Sequence, residues 1–229
     1  KKRAAILLEK VLSAKSWKPS TLACSGVTDC YQPIEKKLEI TRACLDVLRR
    51  ARHPVSIITK NHLVTRDGDL LGELAHHQAA SVTLSITTLD SKLARVLEPR
   101  ASSPAHRLRA IRELQEAGIP VSVNVAPVIP GLNDHEIPQI LEAAADHGAV
   151  SAGYTCVRLP LGVKDVFAHW LQTHVPAQQE KILGRIREMR DGKLNDSSFG
   201  QRMRGQGQVA EDINKLFHLG VRRHGLDQP

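Results

Sequence analysis

Residues 81–90 read SVTLSITTLD, and residues 118–134 read GIPVSVNVAPVIPGLND. Within them the runs 82–86 and 121–125 are rich in β-branched apolar residues, and one helix's worth of charged sequence lies between. Two parallel strands need a crossover of that length to bring the chain back, so the spacing predicts a parallel β-α-β unit. Each run ends in polar residues or prolines. Ligands in such sheets gather at the carboxyl ends of the strands, which makes those ends the place to look for a site.

Working outward, further strands are expected at 22–25, 55–59 and 152–157, giving five in all. Residues 35–52 carry Ile40, Ala43, Leu45, Val47 and Leu48 at helical spacing, and a helix over 67–77 follows the next strand. Ser103 and Pro104 supply an N-cap and first turn for the following helix, and Gly118 closes it. Asn133 or Asp134 is expected to cap the helix that ends at Gly148. After the last strand, 163–173, 178–189 and 209–218 read as helices, interrupted by the Gly- and Ser-rich loop 191–207. The fold class is therefore α/β, an incomplete parallel β/α barrel over 1–174 with a C-terminal helical extension over 175–229 of the same domain. The chain opens on a helix, residues 4–12, with no strand before it. We expect that the first strand of the barrel is absent and that the chain is a fragment.

The 229 residues, 41% hydrophobic and 24% charged, suit one substantial core. No apolar run approaches the ~20 residues that cross a bilayer, and no signal-peptide pattern opens the chain, so a cytoplasmic location is expected. Cys24, Cys30, Cys44 and Cys156 are scattered, without the C-x2-C spacing of a zinc or redox motif. His76-His77 lacks the partners of a metal site. The net charge of +8 favours polyanionic partners, whereas only 3% aromatic residues disfavours binding by base stacking. Arg95, Arg100, Arg107, Arg109 and Arg112 form one basic run, and Arg202, Arg204, Arg222 and Arg223 another; solvated faces are expected for both.

The strand ends collect Thr28 and Asp29, then Lys60, Ser85, Asn124 to Pro127, and Arg158. Asp29 can hold an amino group and Lys60 a carboxylate, the two ends of an amino-acid-like zwitterion. Glu98-Pro99-Arg100 follows a short helix and brings two further charges towards that rim or pairs at the surface. Asp134-His135-Glu136 reads as a helix start.

The blocks GVTDCYQPIE, SIITKN, SVTLSITTLD, LARVLEPR, AGIPVSVNVAPVIPGLND and AGYTCVRLP, in order from Thr21 to Phe217, resemble the radical S-adenosylmethionine proteins related to spore photoproduct lyase. The resemblance is nearer to the bacterial branch labelled "DNA repair photolyase". It implies a partial β/α barrel, S-adenosylmethionine as cosubstrate, and a 4Fe–4S cluster whose unique iron holds the methionine part and generates a 5′-deoxyadenosyl radical. Carried over by position, Thr28 and Asp29 become contacts of the methionine amino group. Lys60 and Ser85 become contacts of its carboxylate, and Ala126 and Arg158 lie on the adenosine side. The resemblance also implies lyase-like chemistry and a possible nucleic-acid substrate. The family's C-x3-C-x2-C cluster motif does not occur here, so this chain is expected to hold neither cluster nor other metal. The radical-relay cysteine of the lyase falls near Gly26, with Cys24 and Cys30 close by in sequence. Two rival readings use the same residues: a Schiff-base, aldolase-like lyase acting through Lys60, and a non-enzymatic basic nucleic-acid-binding module.

Overall fold

The computed structural model describes residues 3–24, 28–196, 198 and 200–227. Five strands follow one another in a single parallel sheet: β1 (Leu22–Cys24), β2 (Val55–Thr59), β3 (Ala80–Ile86), β4 (Val121–Val128) and β5 (Ser151–Cys156). Their order in space is their order in sequence. Right-handed crossovers in a sheet that never reverses direction place every intervening helix on one face, the arrangement of a barrel wall and not of a doubly wound sheet. Among the described residues the wall does not close. The expected parallel pairing is present, with Val82 opposite Val121 and Ser122 opposite Ser151.

The two faces differ as the alternation in the strands requires. Val55, Ile57, Val82, Leu84, Val121, Val123 and Tyr154 are buried beneath the helices. Ser56, Thr83, Ser122, Asn124 and Thr155 are only half-buried on the other face, and there Ser81 donates to Ser56 at 3.2 Å and Ser122 shares a 2.7 Å hydrogen bond with Ser151. A sheet covered on both faces has near-continuous apolar strands. This one keeps a polar inner face.

The helices are α1 (Ala4–Leu12), α2 (Glu35–Leu38), α3 (Ile40–Arg50), α4 (Gly68–His76), α5 (Ser91–Leu97), α6 (Pro104–Glu116), α7 (Ile137–Asp146), α8 (Val163–His174), α9 (Gln179–Glu188) and α10 (Gly207–His224). Three expectations change. The helix expected over 35–52 breaks at Glu39, which is left-handed at φ 50°. The Glu35 carboxylate turns back to accept from the Ile40 and Thr41 amides at 3.1 and 2.8 Å, so a new helix starts there. Asn133 and Asp134 do not cap α7: Asn133 accepts from the Ile129 amide at 2.6 Å and Asp134 from the Gly131 amide at 2.9 Å, closing the turn after β4 instead. The last helix runs from Gly207 to His224, well beyond the expected 209–218. Ser103 caps α6 as expected, accepting from the His106 amide, and Gly118 follows at φ 74°.

A main core fills the space between sheet and helices and includes Ile213, Phe217 and Val221 of α10. A second cluster gathers Ile129, Leu132, Val157 and Leu159, which follow β4 and β5, with Phe167, Leu171 and Ile182 of α8 and α9. The extension therefore packs against the carboxyl ends of the last two strands. No helix among the described residues is long and apolar enough to cross a membrane.

Candidate functional site

Lys60, the first residue after β2, is the centre of the carboxyl-end rim. Its Nζ donates to the Thr87 hydroxyl at 3.1 Å and the Ala126 carbonyl at 3.0 Å, and pairs with the Glu98 carboxylate. Thr87 also donates to Ala126 O at 2.7 Å. Glu98 sits at the end of α5, and its other oxygen accepts from Arg107 Nη2 at 2.7 Å. Arg107 is buried and fixed by the Ser85 and Ser102 carbonyls at 2.9 and 2.8 Å. One carboxylate thus lies between two cations, and the chain of contacts joins the ends of β2, β3 and β4.

Burial pushes the Lys60 ammonium below its ordinary pKa, with Glu98 opposing. For Glu98, burial favours the neutral acid, but Lys60 and Arg107 together hold the carboxyl below its usual range. The geometry favours the charged pair, since three acceptors surround the ammonium. That arrangement opposes the neutral amine a Schiff-base mechanism needs.

Asp29 occupies a different place from a free ligand contact. Its oxygens accept from the Tyr31 amide at 2.8 Å, the Thr59 hydroxyl at 2.8 Å and the Lys60 amide at 2.8 Å. It ties the segment after β1 to the end of β2. Beside it a cleft of about 510 Å³ is lined by Asp29, Tyr31, Ile34, Lys60, Asn61 and Arg100 among others. A larger cleft, about 970 Å³, opens between α5, α8 and the turn after β4, with Trp170 in its lining. It holds neither Lys60 nor Asp29, so size alone does not mark the chemistry.

The remaining expected residues are spread around the rim. Ser85 is buried, and Ala126 is joined to Lys60 through its carbonyl. Thr28 is exposed. Arg158, after β5, contacts Met203 Sδ at 3.9 Å, and its Nε is buried without a partner. Gly26, near which the resemblance puts the relay cysteine, lies outside the described residues. His76 and His77 meet only edge to face, ring centroids 5.5 Å apart.

Reading Arg107 as part of a solvated basic face was wrong. It lies on the buried stripe of α6 with Ala110, Ile111 and Leu114, and that spacing is the signal that identifies it. A second buried network escaped the sequence: Tyr31 Oη donates to Asp67 at 2.9 Å, and Asp67 also pairs with Arg42 and Arg66 at 3.0 and 2.8 Å. Asp134-His135-Glu136 forms a short helical turn, as expected, but Glu136 also accepts from Thr88 Oγ1 at 2.6 Å and the Leu89 amide at 2.7 Å, holding the loop after β3.

The comparisons with known proteins concern the family and the fold. The family model described as the Radical SAM superfamily matches residues 4–144. The chain belongs to the Radical SAM superfamily. An uncharacterized protein of Mycobacterium tuberculosis is 30% identical over 226 residues, covering 97% of this chain and 65% of that protein. One from Methanocaldococcus jannaschii is 32% identical over 158 residues, covering 69% of this chain and 58% of its own length. Among solved structures, spore photoproduct lyase complexed with dinucleoside spore photoproduct superimposes with a TM-score of 0.66 at 14% identity, over 96% of this chain and 63% of the lyase. A lyase mutant with bound AdoMet and the same dinucleoside gives a TM-score of 0.61 at 14% identity, with the same coverage. The radical SAM chain thus spans a little under two thirds of these relatives' length, and its sheet is the partial barrel of that fold.

The residues present fit the two groups of this superfamily unequally. The cleft beside Lys60, Asn61 and Arg100 presents an ammonium, an amide and a guanidinium, groups of the kind a zwitterionic cosubstrate requires. The described residues offer no set of ligands for an iron–sulfur cluster. Among the described residues no three His, Cys, Asp or Glu side chains converge on a point. Burial raises the thiols of Cys24 and Cys156 to about 11.

Proposed function

We propose that the whole protein is an enzyme that binds S-adenosylmethionine at the carboxyl ends of these strands and uses it for lyase-like radical chemistry. Bound there, and given one electron by a reductant of the iron–sulfur class in the whole protein, the cosubstrate would supply methionine and a 5′-deoxyadenosyl radical able to abstract hydrogen from a substrate. In this reading Lys60 and the neighbouring Ser85 receive the methionine carboxylate. Thr28 and Asp29 face the amino group, the Asp29 carboxylate also holding the Lys60 backbone amide, and Ala126 and Arg158 flank the adenosine. A nucleic-acid component is the substrate class we assign, supported by the net charge of +8 and by the dinucleoside carried by the structural neighbours.

The observation that carries this reading is the Lys60 ammonium, fixed by three acceptors at the edge of a ligand-sized cleft. The test is anaerobic calorimetry of S-adenosylmethionine binding to the full-length protein beside its Lys60→Ala variant. Loss of a charge-assisted contact of ~1.5–3 kcal/mol weakens binding by roughly ten- to a hundredfold. Equal affinity in the two proteins would overturn the assignment.

A further inference from the structure

We propose that Glu98 is a placeholder carboxylate: it occupies on Lys60 the position of a ligand carboxylate, and passes to Arg107 alone when the ligand arrives. The inference rests on the reading of Lys60 as a carboxylate contact.

A lysine ammonium has three donors. Here they meet Thr87, Ala126 and Glu98, so an incoming carboxylate must displace one of the three. Ala126 offers a backbone carbonyl of β4, and Thr87 is fastened to that same carbonyl at 2.7 Å. Neither can withdraw without disturbing the strand ends. Glu98 can. It follows α5 at the start of a loop, and rotation of its side chain frees Lys60 without moving the sheet.

What makes release feasible is the second cation. A buried carboxylate that loses its only partner is strongly disfavoured. Glu98 keeps Arg107, whose guanidinium is buried and locked to two backbone carbonyls, and so has a compensated position to fall back to. Two carboxylates against one ammonium repel, so ligand binding drives the exchange and does not add to the existing pair. The device has two effects. It holds Lys60 in its binding position when no ligand is present, and it makes binding of a ligand carboxylate to Lys60 an exchange, while a molecule without a carboxylate leaves the Glu98 pair in place. Glu98 and Arg107 are then positioning residues acting through Lys60.

The test measures by calorimetry the affinities of the full-length protein for S-adenosylmethionine and for 5′-methylthioadenosine, which lacks the amino-acid end. Glu98→Gln removes the competing charge and is expected to tighten S-adenosylmethionine about tenfold while 5′-methylthioadenosine changes less than twofold. Glu98→Asp, which keeps a charge for Arg107 but draws it back from Lys60, is expected to shift the ratio the same way, and serves if the glutamine variant does not fold. A ratio that is unchanged or falls in the folded variant overturns the placeholder. Lys60→Ala separates the two claims. If it leaves S-adenosylmethionine binding intact, the carboxylate contact fails and the placeholder with it. If it weakens binding while neither Glu98 variant tightens it, only the placeholder fails.

Discussion

At the rim, Glu98 faces Lys60 on one side and Arg107 on the other, with only 13% of its side chain exposed. Its folded pKa is depressed by those cations below the ~4.3 of an unperturbed glutamate. A depressed carboxyl contributes stability that is present above the unfolded pKa and is lost as pH falls through the folded value. Glu98→Gln is therefore expected to cost about 2 kcal/mol at pH 7. The deficit relative to wild type should shrink as pH falls below the ordinary glutamate range, where the native carboxylate is being protonated. Urea midpoints at pH 7, 5 and 3 measure it; a deficit that stays constant or grows towards acid contradicts the ion-pair assignment. The place of Lys60 at the rim was legible because a charged residue directly after a strand stands out in the sequence. The partners were not. Glu98 lies 38 residues from Lys60, and only the packing of α5 and α6 against the sheet brings it there.

Among the elements, α2 and α3 illustrate what hydrophobic spacing conveys and what it omits. The apolar positions of α3 are where periodicity puts them, with Leu45, Val47 and Leu48 buried. The break at Glu39 is invisible to that pattern, because it depends on a side chain five residues before the new helix. Glu35, itself buried, satisfies two amides at the start of α3 and receives Arg66 at 3.2 Å. Amides at a helix start have no intrahelical partner, and a side chain that takes them stabilises by roughly 1–2 kcal/mol. Glu35→Ala should lower stability by about 2 kcal/mol, since Arg66 also loses a partner. Glu39→Gly should raise it by a few tenths to ~1 kcal/mol, because glycine takes φ 50° without a Cβ penalty. Opposite shifts in the urea midpoint are the expected pair of results. A Glu35→Ala change under 0.5 kcal/mol would show that the carboxylate does not organise the helix start. Strands were easier to read than these helix ends, since residues 121–125 alternate apolar and polar on a half-covered sheet, and period two survives any detail of capping.

Across the whole molecule, the question is whether residues 175–229 form part of the same cooperative unit as the barrel wall. We argue that they do. Phe217 of α10 is 2% exposed and stacks on Tyr154 of β5 with ring centroids 4.6 Å apart, while Gly220 lets α10 approach α7 so closely that an added Cβ would lie 2.6 Å from Leu141 Cδ1. The Leu226 carbonyl accepts from the Ala152 amide at 3.0 Å, and that of Met203 accepts from the Cys156 amide at 2.8 Å, covering the outer edge of the last strand. An uncovered strand edge would invite pairing with another chain. Removing the large aromatic side chain with Phe217→Ala is expected to cost ~3–5 kcal/mol, the range for a fully buried ring. Because the contact joins α10 to the sheet, the loss should appear everywhere at once and not only in the extension. The two tryptophans give separate reporters, Trp17 beside His53 near the start of β2 and Trp170 on α8 against the Val96 carbonyl. Thermal unfolding of Trp17→Phe and Trp170→Phe proteins, each with and without Phe217→Ala, should give one coincident midpoint per background. Separate midpoints, with the Trp170 signal melting first, would show that α8 and the extension helix α9 packed with it unfold apart from the barrel wall.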